Sequence, residues 1–208
     1  MVQPCMNSVI AENPFLLSDA AIDVLFREAR TANTFTEEVV SADRVREVFE
    51  VVKFGPTAMN NQPMRLLLVE QGAGRDRLVA HLGGNNAAKT ATAPMVAVIA
   101  ADTDFHDRLD RHFPIVEGAR DMFLDDAART QQAVYNTALQ TGYFIMGLRA
   151  AGLAAGPMAG FDRAGIDAEF FADGAWKSQL VINIGHPGVD AWFDRLPRIS
   201  ADDAIRTV

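Results

Sequence analysis

The chain has one cysteine, Cys5, so it forms no internal disulfide. It has no cysteine-built metal site and no two-thiol redox pair. Long apolar runs are also missing. The longest, Ala93 to Ala101, contains Pro94 and is far shorter than the about 20 residues a bilayer demands. Basic charge is scarce: 19 Lys and Arg stand against 27 Asp and Glu, a net charge of −8. That balance argues against a nucleic-acid partner, which needs a basic face to displace counterions, and against an anionic membrane surface. No Lys or Arg precedes Arg27, so the start lacks the basic region of a signal peptide and a cytoplasmic protein is expected. What remains is ample core material. With 49% apolar and 22% charged residues over 208 positions, one compact domain is the first expectation.

Most common routes to chemistry are missing too. Gly72-Ala-Gly74-Arg-Asp-Arg77 lacks the third glycine of a dinucleotide fingerprint. There is no phosphate-binding Gly-Lys-Ser/Thr loop, and none of the five serines sits in Gly-x-Ser-x-Gly. Tyr135 and Tyr143 have no Lys four residues on. His81, His106, His112 and His186 show no helical i, i+4 ligand spacing; His106 and His112 read as solvated loop residues.

Local patterns outline the elements. Residues 1–17 show no periodicity and read as an arm. Ser18 is placed to cap a helix running to about Arg30, with Leu17 and Ile22 as a hydrophobic staple and Ile22, Leu25, Phe26 and Ala29 on one face. Ser41 caps a second helix, striped by Val45, Val48, Phe49 and Val52 and ended by Gly55-Pro56. Arg65–Glu70 reads as a short buried strand. Met95–Ala101, apolar on both faces, reads as a central strand, and Ser178–Gly185 as a third. A long helix spans about Asp121–Ala151, with Val134, Ala138, Thr141, Ile145 and Leu148 at 4-3-4-3 spacing. Gly142 and Gly147 interrupt it and suit either tight helix packing or the close approach of another backbone, such as a second chain's, or of a flat ligand. Asp162 caps a short helix to Phe171. Gly83-Gly84-Asn85-Asn86 and Gly156–Gly160 read as loops, and residues 187–208 as a tail.

The candidate binding residues lie in the polar loops. Asn60, Asn61 and Gln62 sit between two prolines, and their amides donate and accept at once, as a heterocycle edge requires; a plain turn gives the same pattern. Arg30, Lys89, Arg195 and Arg198 stand out in an acidic chain and suit a phosphate.

Three segments together resemble the FMN-dependent nitroreductase family over about residues 22–201. They are Phe54-Gly-Pro-Thr-Ala-Met-Asn-Asn-Gln-Pro63, Leu148–Asp162 with its Ala-Gly-Leu and Pro-Met-Ala-Gly-Phe, and Leu180-Val-Ile-Asn-Ile-Gly-His186. Phe26–Thr31, Ala155–Arg163 and Arg195–Ser200 resemble its malonic semialdehyde reductase branch. The resemblance implies an α+β fold with a central mixed β-sheet wrapped by helices, in an intertwined homodimer with FMN at the interface. It implies a core domain over 18–186 and a tail, 187–208, that completes the FMN site and the dimer.

Carried onto this chain, the resemblance sets Arg30, Thr31 and Asn33 after the first helix, with Arg195 and Arg198, at the flavin phosphate. Asn86 and Lys89 would lie at the flavin edge. Pro157, Met158, Ala159 and Gly160 would lie along the ring, with the Ala159 N–H toward N5. Pro56, Thr57, Ala58, Asn60 and Gln62 would come from the partner chain. The family's second cation in the first phosphate motif is absent, since Thr34 stands there. The implied activity is NAD(P)H-dependent reduction of a small aldehyde, such as malonic semialdehyde to 3-hydroxypropionate, or of nitro compounds. NADH or NADPH would be the electron donor, and the flavin, not a side chain, would carry the hydride. A flavin-binding dimer without turnover, and a flavin reductase or dehalogenase acting on another substrate, fit the same residues.

Overall fold

The computed structural model describes residues 14–208; the expected arm at 1–17 lies largely outside them. The expected α+β fold is present. Helices α1 (Asp19–Ile22), α2 (Ala42–Val52), α3 (Ala73–Val79), α4 (Gly84–Thr92), α5 (Leu109–His112), α6 (Asp126–Ala150), α7 (Arg163–Phe170) and α8 (Ala201–Ala204) surround four strands. These are β1 (Met64–Val69), β2 (Met95–Asp102), β3 (Ala154–Met158) and β4 (Trp176–Gly185), in the order β1-β2-β4-β3. All three pairings are antiparallel, where the resemblance implies a mixed sheet. The reason is topological: each strand that runs parallel to another is separated from it by an antiparallel neighbour, and the tail adds no strand to this chain's sheet.

Met95–Asp102 is central as its sequence indicates, fully buried and paired on both sides. Its two faces feed two cores. One contains Val45, Val48, Met95, Ile99, Phe144, Leu148 and Ile182 between the sheet and α2 and α6. The other contains Leu78, Val96, Val98, Ile166 and Val181.

Local signals set most element ends. The Ser18, Ser41 and Asp162 side chains accept from Ala21, Arg44 and Gly165 N–H groups, as caps should. The first helix departs from expectation. After Ile22 it widens into a π turn over Asp23–Arg27, with the Glu28 N–H reaching the Asp23 carbonyl at 2.9 Å, and it stops before Arg30. Arg27 is held there by Asp19 and Asp23, at 2.7 and 2.6 Å. Phe26, expected on the inner face, is exposed.

Three further expectations are corrected. Gly156–Gly160 is not all loop, because Ala154–Met158 forms edge strand β3. Pro157 is tolerated on such an edge, where a missing N–H costs no ladder bond on the open side. Gly84 opens helix α4, so Asn85 and Asn86 lie in its first turn and not in a loop. Helix α6 begins at Asp126, capped by Asp125. It buries Ala133, Asn136, Thr137, Gln140, Thr141, Phe144 and Leu148, so Val134 and Ala138 of the expected stripe face outward. Gly147 serves packing within the chain: a Cβ there would sit 2.3 Å from Val52 Cγ1. Gly142 meets nothing within 4 Å.

Candidate functional site

The segment after α1 crosses the N-terminal end of β3. Ala32 N–H donates to the Ala155 carbonyl at 3.0 Å, and Asn33 N–H to the Ala191 carbonyl at 2.9 Å. Gly156 permits this crossing, because a Cβ there would lie 2.6 Å from the Ala32 carbonyl oxygen. The tail folds back along the same path. Gly188 N–H reaches the Thr34 carbonyl, and the Arg195 guanidinium donates to the carbonyls of Arg27 and Ala29. Thr34 is therefore taken up by the tail.

These crossings bring Arg30, Thr31, Asn33, Arg195 and Arg198 around one cleft of about 290 Å³, with Phe193 on its wall. Arg30 Nε is buried and has no hydrogen-bond partner, and the nearest carboxylate to its guanidinium, Glu28, is 3.7 Å away. Lys89 joins the group by donating to Asn33 Oδ1 at 2.6 Å, and its ammonium lies over the Phe193 ring. A neighbouring cavity of about 310 Å³ adds Arg149, Leu153, Ala155 and Trp192 beside Arg30. Burial holds the Arg149 pKa below its ordinary value, and the nearby Arg195 charge lowers it further. Positive charge gathered with unsatisfied donors suits a phosphate-bearing ligand.

A second group adjoins the first through α4. Asn86 and Lys89 are three residues apart and share a helix face. Asn86 Nδ2 donates to the Gly160 carbonyl at 3.0 Å, which sets α4 against the Pro157-Met158-Ala159-Gly160 segment at the end of β3.

Pro56, Thr57, Ala58, Asn60 and Gln62 form a third group, and the chain does not bring it to the other two. The loop leads directly into Met64, which pairs with Ala101 at the C-terminal end of β2. Ala155 pairs with Ile184, and Ile184 with Met95 at the N-terminal end. The two groups therefore sit at opposite ends of an eight-residue strand, roughly 20 Å apart at the rise of extended chain.

This loop is strained and firmly held. Met59, Asn60 and Gln62 have φ of 50°, 49° and 43°, conformations that L residues keep only when their surroundings enforce them. Gln62 N–H donates to Thr57 Oγ1, Gln62 Nε2 to Asn60 Oδ1 at 2.9 Å, and Asn60 Nδ2 to the His112 carbonyl at 2.7 Å. From below, Asn136 Oδ1 accepts the Ala58 N–H at 2.8 Å and Gln140 Oε1 the Met64 N–H at 2.9 Å. The sequence reading missed Asn136 and Gln140. Their signal was present as two amides four residues apart, on one face of the helix with the apolar Ala133, Phe144 and Leu148.

A buried cation and a buried anion were missed as well. Arg75 donates to the carbonyls of Thr90, Ala93 and Val69 and has no carboxylate partner among the described residues; burial pulls its pKa down to about 10. Asp102, 1% exposed, is bound by Arg65 at 2.6 Å and by Arg108.

Fold and site together define an α+β protein with a cationic cleft over one sheet end, built by the first helix and the tail, and a strained polar loop at the other. The profile of the Nitroreductase family matches residues 26–186, and the chain belongs to that family. A relative from Streptomyces griseus subsp. griseus, provisionally named NADH dehydrogenase/NAD(P)H nitroreductase, is 53% identical over 194 residues, 93% of this chain and 98% of the relative. A similarly named protein from Caulobacter vibrioides is 41% identical, over 91% and 97% of the two chains. Among solved structures, a provisionally named nitroreductase from Exiguobacterium sibiricum in complex with FMN superposes with a TM-score of 0.80. It is 18% identical, over 92% of this chain and 98% of that one. One from Bacillus subtilis gives 0.78 at 19% identity, over 91% and 99%. Among the described residues no helix is long and apolar enough to cross a membrane.

Proposed function

We propose that this chain is an FMN-dependent NAD(P)H oxidoreductase that works as a homodimer. Its acceptor is a small aldehyde such as malonic semialdehyde, or a nitro compound. The observation that carries the reading is the cleft where Arg30 Nε stands buried and unpartnered beside Thr31, Asn33, Arg195 and Arg198. A phosphate monoester supplies the missing acceptors there. FMN, when bound, supplies two-electron transfer from NADH or NADPH to the acceptor.

The chain's own residues bind and orient. Arg30, Arg195 and Arg198 take the phosphate with forked donors. Lys89, oriented by Asn33, would place positive charge beside the flavin ring, where it would stabilise negative charge. Asn86 holds the Gly160 backbone, and the Met158–Gly160 segment would then hold the ring. No side chain in these groups is assigned as a proton donor. Positioning and electrostatics do the work.

The separation of the 56–62 loop from the cleft supports the dimer, because a second copy can bring that loop to the flavin. So do the exposed Val134, Tyr135 and Leu139 on the outer face of α6 and Trp192, Phe193, Leu196 and Ile199 on the tail. In this reading residues 18–186 form the domain, and the tail, 187–208, completes the FMN site and the dimer. Resemblance in the segments around Arg30, Met158 and Arg198 supports the aldehyde.

The test is direct. Purified protein is expected to be yellow, to release FMN on denaturation, and to oxidise NADH or NADPH when menadione, a nitroarene or malonic semialdehyde is added. Light scattering should give twice the chain mass of 22.6 kDa. Colourless protein that takes up no added FMN would remove the proposal, and flavin-loaded protein that turns over no acceptor would leave only a binding dimer.

A further inference from the structure

A second concentration of positive charge lies at the loop end of the sheet. Arg65 and Arg108 share the single buried carboxylate of Asp102, so the trio keeps an excess positive charge. Arg111 is exposed and pairs with no carboxylate among the described residues. Asp107, the nearest acidic residue in chain order with an ion pair, is engaged by Arg120 at 2.8 Å, while Asp110 is exposed. His112 has a buried Nδ1 with no hydrogen-bond partner, and Arg111 precedes it in the chain. The ion pairs to Asp102 and the contacts to Asn60 and Gln62 set Arg65, Arg108 and His112 at this one loop, and burial, followed by the charges of Arg111, Arg65 and Arg108, holds the His112 pKa below the ordinary value.

The cluster grips the strained loop from both sides. Arg65 Nη1 donates to the Gln62 carbonyl at 2.8 Å, and the His112 carbonyl accepts from Asn60. Two guanidiniums on one carboxylate leave a positive charge unmatched, and Arg111 adds another; an anion supplies the matching acceptors.

We infer that Arg108, Arg111 and the free Nδ1 of His112 form an anion-recognition subsite beside Asn60 and Gln62, selecting reactants that carry a carboxylate or phosphate. The inference rests on the proposed function, in which this loop faces the flavin of the second copy. The anion has two sources of the same chemistry: a carboxylate on the acceptor, or a phosphate of the nicotinamide donor.

Arg111→Gln is the informative variant, because an exposed residue without an ion pair can be changed with little risk to folding. Two readouts are taken on flavin-loaded protein. The first is the ratio of kcat/KM for 4-nitrobenzoate over nitrobenzene, with KM for NADH and NADPH. The second is calorimetric binding of benzoate against benzamide, which needs no turnover. The ratio and the benzoate affinity should each fall roughly tenfold, the scale of one charge-assisted hydrogen bond. Arg111→Lys should restore most of both.

An unchanged acceptor ratio with a tenfold higher KM for the nicotinamide donor supports the subsite and assigns it to the donor's phosphate. No change in acceptor ratio, donor KM or benzoate affinity overturns the inference while leaving the oxidoreductase reading intact. Protein that takes up no flavin yet loses benzoate binding in Arg111→Gln does the reverse.

Discussion

Arg30→Ala should cost FMN far more affinity than Arg198→Ala, and neither loss should extend to riboflavin, which lacks the phosphate. The order follows from the surroundings of the two guanidiniums. Arg30 is two-thirds buried, its side chain 33% exposed, with an unpartnered Nε and no carboxylate closer than 3.7 Å. Its buried Nε–H is unused. Arg198 is exposed, and its Nη1 already donates to the Leu196 and Pro197 carbonyls. A phosphate must compete with those bonds and with water. Hydrogen bonds to charged groups contribute about 1.5–3 kcal/mol, and each 1.4 kcal/mol is about tenfold in Kd. Arg30→Ala should therefore weaken FMN binding by roughly 10- to 150-fold. Arg198→Ala should cost about 1 kcal/mol or less, near the upper end for exposed ion pairs. If both touch one phosphate, the double variant should depart from additivity by about 0.5 kcal/mol or more. The assay is quenching of flavin fluorescence on titration with apoprotein, run in parallel for FMN and riboflavin. Equal losses for both flavins would mean the arginines act through folding. A larger loss at Arg198 than at Arg30 would refute the ordering from burial.

Asn136→Ala removes the acceptor of the Ala58 N–H at 2.8 Å; it should cost about 1–3 kcal/mol in urea unfolding and speed proteolysis within 56–62, and an unchanged midpoint would contradict the clamp. Gly147→Ala puts a methyl 2.3 Å from Val52 Cγ1. Overpacking of about 1–3 kcal/mol should outweigh the about 1 kcal/mol gained in helix propensity, so a higher Tm would overturn this account of α2–α6 contact. Gly142→Leu, at a position open within the chain, should instead shift the light-scattering mass toward monomer if α6 meets its copy there, and an unaltered mass at micromolar concentration would place the dimer contact elsewhere. His112 has a depressed pKa in the folded state, with burial the leading cause, against about 6.5 unfolded. The unfolded chain then binds the proton more readily, so stability should fall as pH drops below about 6.5. His112→Gln should remove that part of the slope, and identical profiles would exclude it.

Sequence by itself determined what is local. The Ser18, Ser41 and Asp162 caps act on N–H groups three residues away, and the apolar run at Met95–Ala101 can be stable only with both faces covered. The three segments from Phe54, Leu148 and Leu180 were likewise enough to indicate the family that the profile match then showed. Periodicity did not reveal which face of α6 turns inward. Apolar count favoured Val134 and Ala138, yet Asn136 and Gln140 are buried because the backbone N–H groups of Ala58 and Met64 need acceptors below the loop. Nor did local pattern reveal β3, whose glycine and proline read as a turn until β4 lay beside them. Only the tertiary structure could set Arg195 against Arg27, 168 positions away, and gather Arg30, Asn33, Lys89 and Arg198 with it. That meeting requires the segment after α1 to cross β3 over Gly156, which leaves room for it, and the tail to fold back along that segment. The far loop was legible as a polar cluster. That it lies at the opposite end of β2 from the arginines is a consequence of strand direction, which no spacing in the sequence encodes.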